Sequence, residues 1–354
     1  MSKIKVILYA PNVHTGGGLV LLQELLRTLR SNYSFTAILD ERSRMDLSGY
    51  NDCVVKWVSP NLASRAAAEI LLRRMSSRVE IVICFHGLPP LLPNRAMNYV
   101  FLQNVHYINR SSLRNFKFKT AIRLAFERTV AWIFRKHVSA YFVQTASMGR
   151  AVTAWYGIKD DFSTSPIVKI RPFMSPISTS LYQDRGEQSW DFVYVADGET
   201  HKNHMNLVAA WRMLAEAGIK PSLALTLGDR DKILWIQIEE IAKTHGLNIS
   251  NLGNLPHSQV MSLYKSAGAL VFPSFSESFG LPLVEAALCG LPIVASETDY
   301  VRDVCVPVET FDPASPVSIY RAIRRFLGCS EQIAIIGTSD EFMESMFSCF
   351  YGGR

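Results

Sequence analysis

The sequence predicts an α/β protein built on parallel sheets, and three observations predict it. Short apolar runs of strand length alternate with helical patterns, as in Lys5-Val-Ile-Leu-Tyr9 followed by Leu19 to Leu29. A length of 354 residues, with 48% hydrophobic and 19% charged residues, is ample for two domains with real cores. A stretch from Ser175 to Ser189, rich in Ser, Pro and polar residues, interrupts the alternation at mid-chain and has the composition of an interdomain linker.

Taken in order, a strand expected over Lys3 to Ala10 ends at Pro11-Asn-Val-His-Thr-Gly-Gly-Gly18, and an amphipathic helix follows from Leu19 to about Arg30. Glycines at this junction let the backbone approach a ligand, with helix N–H groups aimed at it, and they serve equally as a simple βα turn. Val79 to His86 and Tyr99 to His106 each read as a buried strand ending in a histidine. Ligands of doubly wound sheets collect at strand C-termini, although a histidine there is often structural. Ala140 to Thr145 is another strand-to-helix junction, and Ile167 to Phe173 reads as the last strand of the first half.

The second half opens with Asp191-Phe-Val-Tyr-Val-Ala-Asp-Gly-Glu-Thr-His-Lys-Asn-His204 and a helix from Met205 to Ala217. Leu223 to Gly228, a helix around Ile233 to Thr244, and Ile249 to Leu255 come next. Ala267 to Phe272 then reads as a buried strand and Leu281 to Leu288 as a helix, with Pro282 allowed in its first turn. Between them, Glu277 falls in the loop and Glu285 about one turn into the helix. The amides of Ser278, Phe279 and Gly280 lie at the helix N-terminus, where unpaired N–H groups and the macrodipole favour an anionic phosphate. One carboxylate can accept hydrogen bonds from sugar hydroxyls and the other from a ribose; a capped, solvated helix start would show the same pair.

Charge is divided unevenly. Residues 1–180 hold 24 Lys and Arg against 10 Asp and Glu, a balance of +14, whereas residues 181–354 hold 13 against 21, a balance of −8. Residues 110–137 concentrate eight cations and one acid among Phe116, Phe118, Phe126, Trp132 and Phe134. Such a segment suits an anionic membrane surface, or a helix that packs its aromatics inward and leaves its cations solvated. No recognised nucleic-acid motif accompanies the charge, so no nucleic-acid partner is expected. The six cysteines are scattered without C-x2-C spacing, a pattern of reduced cytosolic thiols. The apolar run at the N-terminus is only the short strand Val6 to Ala10, not a signal peptide, and no run of 18 apolar residues could span a bilayer.

The stretch Phe272-Pro-Ser-Phe-Ser-Glu-Ser-Phe-Gly-Leu-Pro-Leu-Val-Glu-Ala286 resembles the E-x7-E signature of retaining glycosyltransferases of family 4, which have the GT-B fold. The resemblance continues upstream through Gly253-Asn-Leu-Pro-His257 and Val260 to Ala269, and downstream through Gly290-Leu-Pro-Ile-Val-Ala-Ser296. It is strong over residues 190–300 and only topological before them. It implies two Rossmann-like doubly wound domains across a cleft: an acceptor-binding domain at 1–175, a linker at 176–189, a nucleotide-sugar domain at 190–330, and a C-terminal helix at 331–354 crossing back to the first domain.

The resemblance also implies roles. Gly16, Gly17 and Gly18 would face the donor diphosphate or the acceptor. His106, rather than His86, would contact the donor sugar, and Glu277 would hold its hydroxyls. Lys202 and the 278–280 amides would bind the diphosphate, Glu285 the ribose, and the backbone of Asn254 and Leu255 the base, with Leu281 also in the donor site. Many relatives carry an arginine a few residues before this lysine, at places held here by Ala196 and Asp197, so Arg230 is the expected substitute. No cofactor or metal is expected, since cations and helix dipoles neutralise the leaving group and no convincing D-x-D motif occurs. The implied activity is transfer of a hexose-type residue from a nucleotide diphospho-sugar to a glycan or lipid-linked acceptor in surface-polysaccharide synthesis. The expected location is cytoplasmic and peripheral on the inner face of the membrane. A phosphorylase or epimerase on a related fold, and a non-catalytic sugar-nucleotide-binding protein, remain the alternatives, the missing arginine favouring the last.

Overall fold

Two parallel sheets organise the chain, seen in a computed structural model that describes residues 4–45, 53–108, 118–157, 166–174, 188–329, 338–341, 343 and 346. The first sheet holds β1 (Lys5–Ala10), β2 (Ser34–Asp40), β3 (Cys53–Val58), β4 (Ile81–Cys84), β5 (Met97–Phe101), β6 (Ala140–Val143) and β7 (Ile167–Ile170), in the order β3-β2-β1-β4-β5-β6-β7. The second holds β8 (Trp190–Tyr194), β9 (Leu223–Leu225), β10 (Ile249–Asn251), β11 (Ala267–Phe272), β12 (Ile293–Ser296) and β13 (Glu309–Phe311), in the order β10-β9-β8-β11-β12-β13. Pairing is parallel throughout, with Tyr9 opposite Cys84 and Leu270 opposite Val193.

Helices lie between the strands: α1 (Gly16–Asn32), α2 (Leu62–Met75), α3 (Phe118–Ile133), α4 (Ala146–Tyr156), α5 (His204–Glu216), α6 (Lys232–His245), α7 (His257–Lys265), α8 (Leu281–Leu288), α9 (Asp299–Arg302) and α10 (Pro316–Phe326). They explain why the central strands are apolar without alternation. Ile7 to Ala10 of β1 and Ala269 to Phe272 of β11 are almost fully buried, so both faces of each sheet must be covered. No helix among the described residues is long and apolar enough to cross a membrane.

In both sheets the strand order reverses beside the first strand, between β1 and β4 and between β8 and β11. The crevice outside the strand C-termini at such a switch point is where open α/β sheets take ligands.

One element begins earlier than its sequence suggests. The first helix starts at Gly16 rather than Leu19, so the three glycines form its opening turn and not a loop before it. Low helix propensity disfavours glycine there. Gly17 of that turn meets the second half, where an added Cβ would sit 3.7 Å from Leu281 Cδ1, and Gly18 meets the first half, where one would sit 3.0 Å from Gln103 Oε1. The expected linker at 176–189 lies outside the described residues except for its last two positions, as do residues 110–117 of the basic segment and most of the expected tail helix at 331–354.

Candidate functional site

The N-terminus of α8 is shaped by Gly280, whose φ of 75° is unfavourable for side-chain-bearing residues. A Cβ there would also lie 2.9 Å from Leu283 Cδ1. Pro282 fits the first turn, where its missing N–H is no loss, and Leu283, Glu285 and Ala286 turn inward. No side chain caps this helix end. The Leu283 N–H is spent on Gly280 O at 2.9 Å, so the amides this end can offer an anion are those of residues 278–281.

Lys202 closes a 3₁₀ turn, Thr200–Lys202, in the loop after β8. The next residue, Asn203, has φ of 63° and is held there by donating its side-chain amide to Pro273 O at 3.0 Å and Pro313 O at 2.7 Å. The Tyr194 hydroxyl donates to Lys202 O at 2.6 Å, and the Phe275 N–H donates to His201 O at 2.9 Å. Tyr300 donates to Ser274 O at 2.7 Å. These bonds stitch the β8 loop to the β11 loop and bring Lys202 Nζ within 2.6 Å of Glu277 Oε1. Burial alone lowers the pKa of the ammonium, but attraction by Glu277 and then Asp197 outweighs it, so the net shift is upward.

The first half meets this pair through its own loops. His106 is buried in a 3₁₀ turn, Val105–Tyr107, which Asn104 caps by accepting from the His106 N–H at 2.9 Å. Its ring stands edge-on to His201, with centroids 4.8 Å apart. Burial first, then the neighbouring His201, pushes the pKa of His106 down to about 4; burial and then Lys202 do the same to His201. Both rings are therefore neutral at pH 7. The Val105 N–H donates to Ser278 Oγ at 2.8 Å, and Thr145 Oγ1 donates to Ser278 O at 3.3 Å. Further out, the Ser147 N–H donates to Asp303 Oδ2 at 2.7 Å, and Arg150 pairs with Asp299 at 2.9 Å. His86 is turned away to Tyr9, with Nδ1 3.3 Å from the Tyr9 carbonyl.

Gly17, His106, Lys202, Glu277, Ser278 and Leu281 thus converge from both sheets on one seam, with Gly16, Gly18, Phe279 and Gly280 as their chain neighbours. The other expected residues stand further along the second sheet. Glu285 is 4% exposed, accepts from Tyr264 Oη at 3.3 Å and lies 2.9 Å from His257 Nε2. That hydrogen bond raises the pKa of His257. Arg230 follows β9 and pairs with Asp197 at 2.7 Å, so one of the two residues before Lys202 that stand in place of an arginine holds an arginine from the next loop. The approach is close: a Cβ at Gly198 would lie 2.7 Å from Asp231 Oδ1. Asn254 sits against Gly228 at the same end of the sheet, and Leu255 packs on the second core. No group of three or more His, Cys, Asp or Glu among the described residues is arranged to hold a metal ion.

Sequence reasoning missed the supports. Tyr194, Ser274 and Tyr300 hold the Lys202 and Glu277 loops, and His257 and Tyr264 hold Glu285. The run His201-Lys202-Asn203-His204 did carry a signal, because an asparagine before a helix tolerates the left-handed backbone that the turn needs.

Comparison with known proteins agrees with this architecture. The solved structure of Anabaena Alr3699/HepE in complex with UDP-glucose aligns with a TM-score of 0.65 over 92% of this chain and 90% of that one, at 15% identity. The apo lipopolysaccharide outer core galactosyltransferase WaaB aligns at 0.61 over the same shares, also at 15% identity. The fold is GT-B. Residues 183–338 match the family described as glycosyl transferases group 1. The chain is 36% identical over 115 residues to O-antigen chain mannosyltransferase B of Escherichia coli, covering 32% of this chain and 30% of that one. It is 22% identical over 228 residues to O-antigen chain mannosyltransferase RfbU of Salmonella typhimurium, covering 64% and 58%. The matched region therefore spans less than two thirds of the length of either relative.

Proposed function

We propose that the chain is a retaining glycosyltransferase that moves a hexose-type residue from a nucleotide diphospho-sugar to a hydroxyl of a glycan or lipid-linked acceptor, in the synthesis of O-antigen or another surface polysaccharide. The observation that carries this reading is the Lys202–Glu277 pair beside the uncapped N-terminus of α8, facing His106 across the seam. The names of the relatives, two of them O-antigen mannosyltransferases, support the reaction class and pathway type. The UDP-glucose bound to HepE supports a nucleotide-sugar donor.

In this reading Lys202 turns from Glu277 to the diphosphate, joined by the amides of residues 278–280, while Glu277 takes the sugar hydroxyls. His106, neutral, donates to or accepts from the sugar without acting as a base. Glu285 holds the ribose, and the backbone at Asn254 and Leu255 borders the base. The anomeric carbon–phosphate oxygen bond breaks as the bond to the acceptor oxygen forms on the same face, and the departing diphosphate takes the acceptor proton. Lys202, Arg230 and the α8 dipole supply the positive charge, so no metal is required. The protein works in the cytoplasm, on the inner face of the membrane.

A thermal-shift series with UDP-, GDP-, dTDP- and ADP-sugars, each with and without EDTA, tests the donor site. One donor class should stabilise the protein in both conditions, because a ligand that binds only the folded state raises its stability. Protein unmoved by every donor at millimolar concentration would sink the reading.

A further inference from the structure

Helix α3 is apolar on two opposite sides. Leu124, Glu127 and Ala131 face inward at 1%, 7% and 1% exposure. With 3.6 residues per turn, Phe118, Ile122, Phe126 and Ile133 fall within an arc of about 80° on the other side. They are 79%, 55%, 67% and 57% exposed, and Trp132 beside them is 42% exposed. A helix on a protein surface ordinarily turns charge to water on that side, and a contiguous exposed apolar stripe marks a contact.

Electrostatics selects the partner. The one acid of α3, Glu127, is turned inward, while Arg123 is exposed, the Arg135 guanidinium lies 3.9 Å over the Trp132 ring, and exposed Lys136 follows. A second copy of the chain would bring these cations, and a first half with a balance of +14, against their like. An anionic surface would not be repelled. At the same helix a cavity of about 380 Å³ is lined by Arg128, Thr129, Trp132 and Trp155, and the Trp155 indole N–H is buried there without an acceptor among the described residues. A headgroup oxygen would satisfy it.

We propose that the outward face of α3 is a docking surface for an anionic phospholipid bilayer. Phe118, Ile122, Phe126 and Ile133 enter the headgroup boundary, and Arg123, Arg135 and Lys136 meet the phosphates. The surface adjoins the seam, because Arg128 of the same helix donates from Nε to His106 O at 2.7 Å. This assignment gives the membrane location proposed above a named face, and rests on exposure and charge rather than on donor chemistry.

Flotation of the full chain with vesicles tests it. At about 0.15 M salt the protein should rise with phosphatidylglycerol/phosphatidylethanolamine vesicles and roughly tenfold less with phosphatidylcholine. The double variant Phe118→Glu/Phe126→Glu should lose roughly tenfold or more of the binding, with an unchanged circular dichroism spectrum and donor-induced thermal shift. Wild-type protein that ignores anionic vesicles overturns the proposal, as does a double variant that floats like wild type. Concentration-dependent dimerisation abolished by the same variant, without flotation, would assign the face to a second copy instead. Failure of the donor shift with intact flotation would count against the reaction and leave the docking face standing.

Discussion

Lys202 Nζ and Glu277 Oε1 lie 2.6 Å apart, one carried by the loop after β8 and the other by the loop after β11. These strands are neighbours at the switch point of the second sheet, so the pair stands where an α/β crevice opens. The two side chains are 17% and 13% exposed, and neither carries its charge comfortably without the other.

Removing the lysine should therefore weaken folding and chemistry by separable routes. Lys202→Met should lower stability by about 1–3 kcal/mol, because it strands the Glu277 carboxylate. The double variant Lys202→Met/Glu277→Gln should regain most of that loss in urea unfolding. Its sugar transfer should stay down by about 10²–10³, the effect of losing one preorganised charge-stabilising group. Recovery of transfer alongside stability would show that the pair is only structural.

Acid should unfold the protein through its buried histidines. Burial pushes the pKa of His106 down to about 4 and that of His204 to about 3, whereas the unfolded chain takes up these protons near 6.5. The stabilisation is complete above about pH 6.5 and is lost as pH falls toward the folded values, at about 1.4 kcal/mol per pH unit for each histidine. His204→Phe, which keeps a ring against Tyr194, should make the fall shallower. A wild-type stability that is flat between about pH 4.5 and 6.5 would show that these rings are not held neutral.

Across the seam, Asp303 should matter more than Asp299. Its carboxylate accepts the Ser147 N–H in the first turn of α4, where charge and dipole cooperate for about 1 kcal/mol. The Arg150–Asp299 pair is 60% and 77% exposed and belongs to the class worth little. Small-angle scattering should show a larger radius of gyration for Asp303→Ala than for Arg150→Ala. The reverse order would place the closing interaction in the ion pair.

Arg230 is expected to act on donor affinity and hardly on stability. Its guanidinium is 55% exposed, so Arg230→Ala should shift the unfolding free energy by less than about 1 kcal/mol. Donor KM should rise roughly tenfold, the effect of one charge-assisted contact, and its dependence on salt should diminish. An unchanged KM would return the clamp to Lys202 and the α8 amides alone.

Both β11 and α8 could be read to the residue, because an uninterrupted apolar run, a glycine and a first-turn proline fix their ends locally. The start of α1 could not, since the three glycines that open it have low helix propensity and give no local signal of a helix. Glu277 and Glu285 were legible as a spaced pair, but the partners of Glu285 lie 28 and 21 residues away, with no spacing to betray them. The bond from Val105 to Ser278 joins positions 173 apart and depends on how two sheets meet. The basic segment left two arrangements open; the exposure of Phe118 and Phe126 shows that its aromatics are not all spent on the core.

The family match stops at one half of a molecule whose two sheets each enclose cores of their own. Between them runs a seam crossed by hydrogen bonds, the Arg150–Asp299 pair, the His106–His201 ring contact and the packing of Leu281 on the first half. Such a seam lets the halves vary at different rates. Substitutions on one side of it need not disturb the core on the other, so each half can change with little cost to the folding of its neighbour.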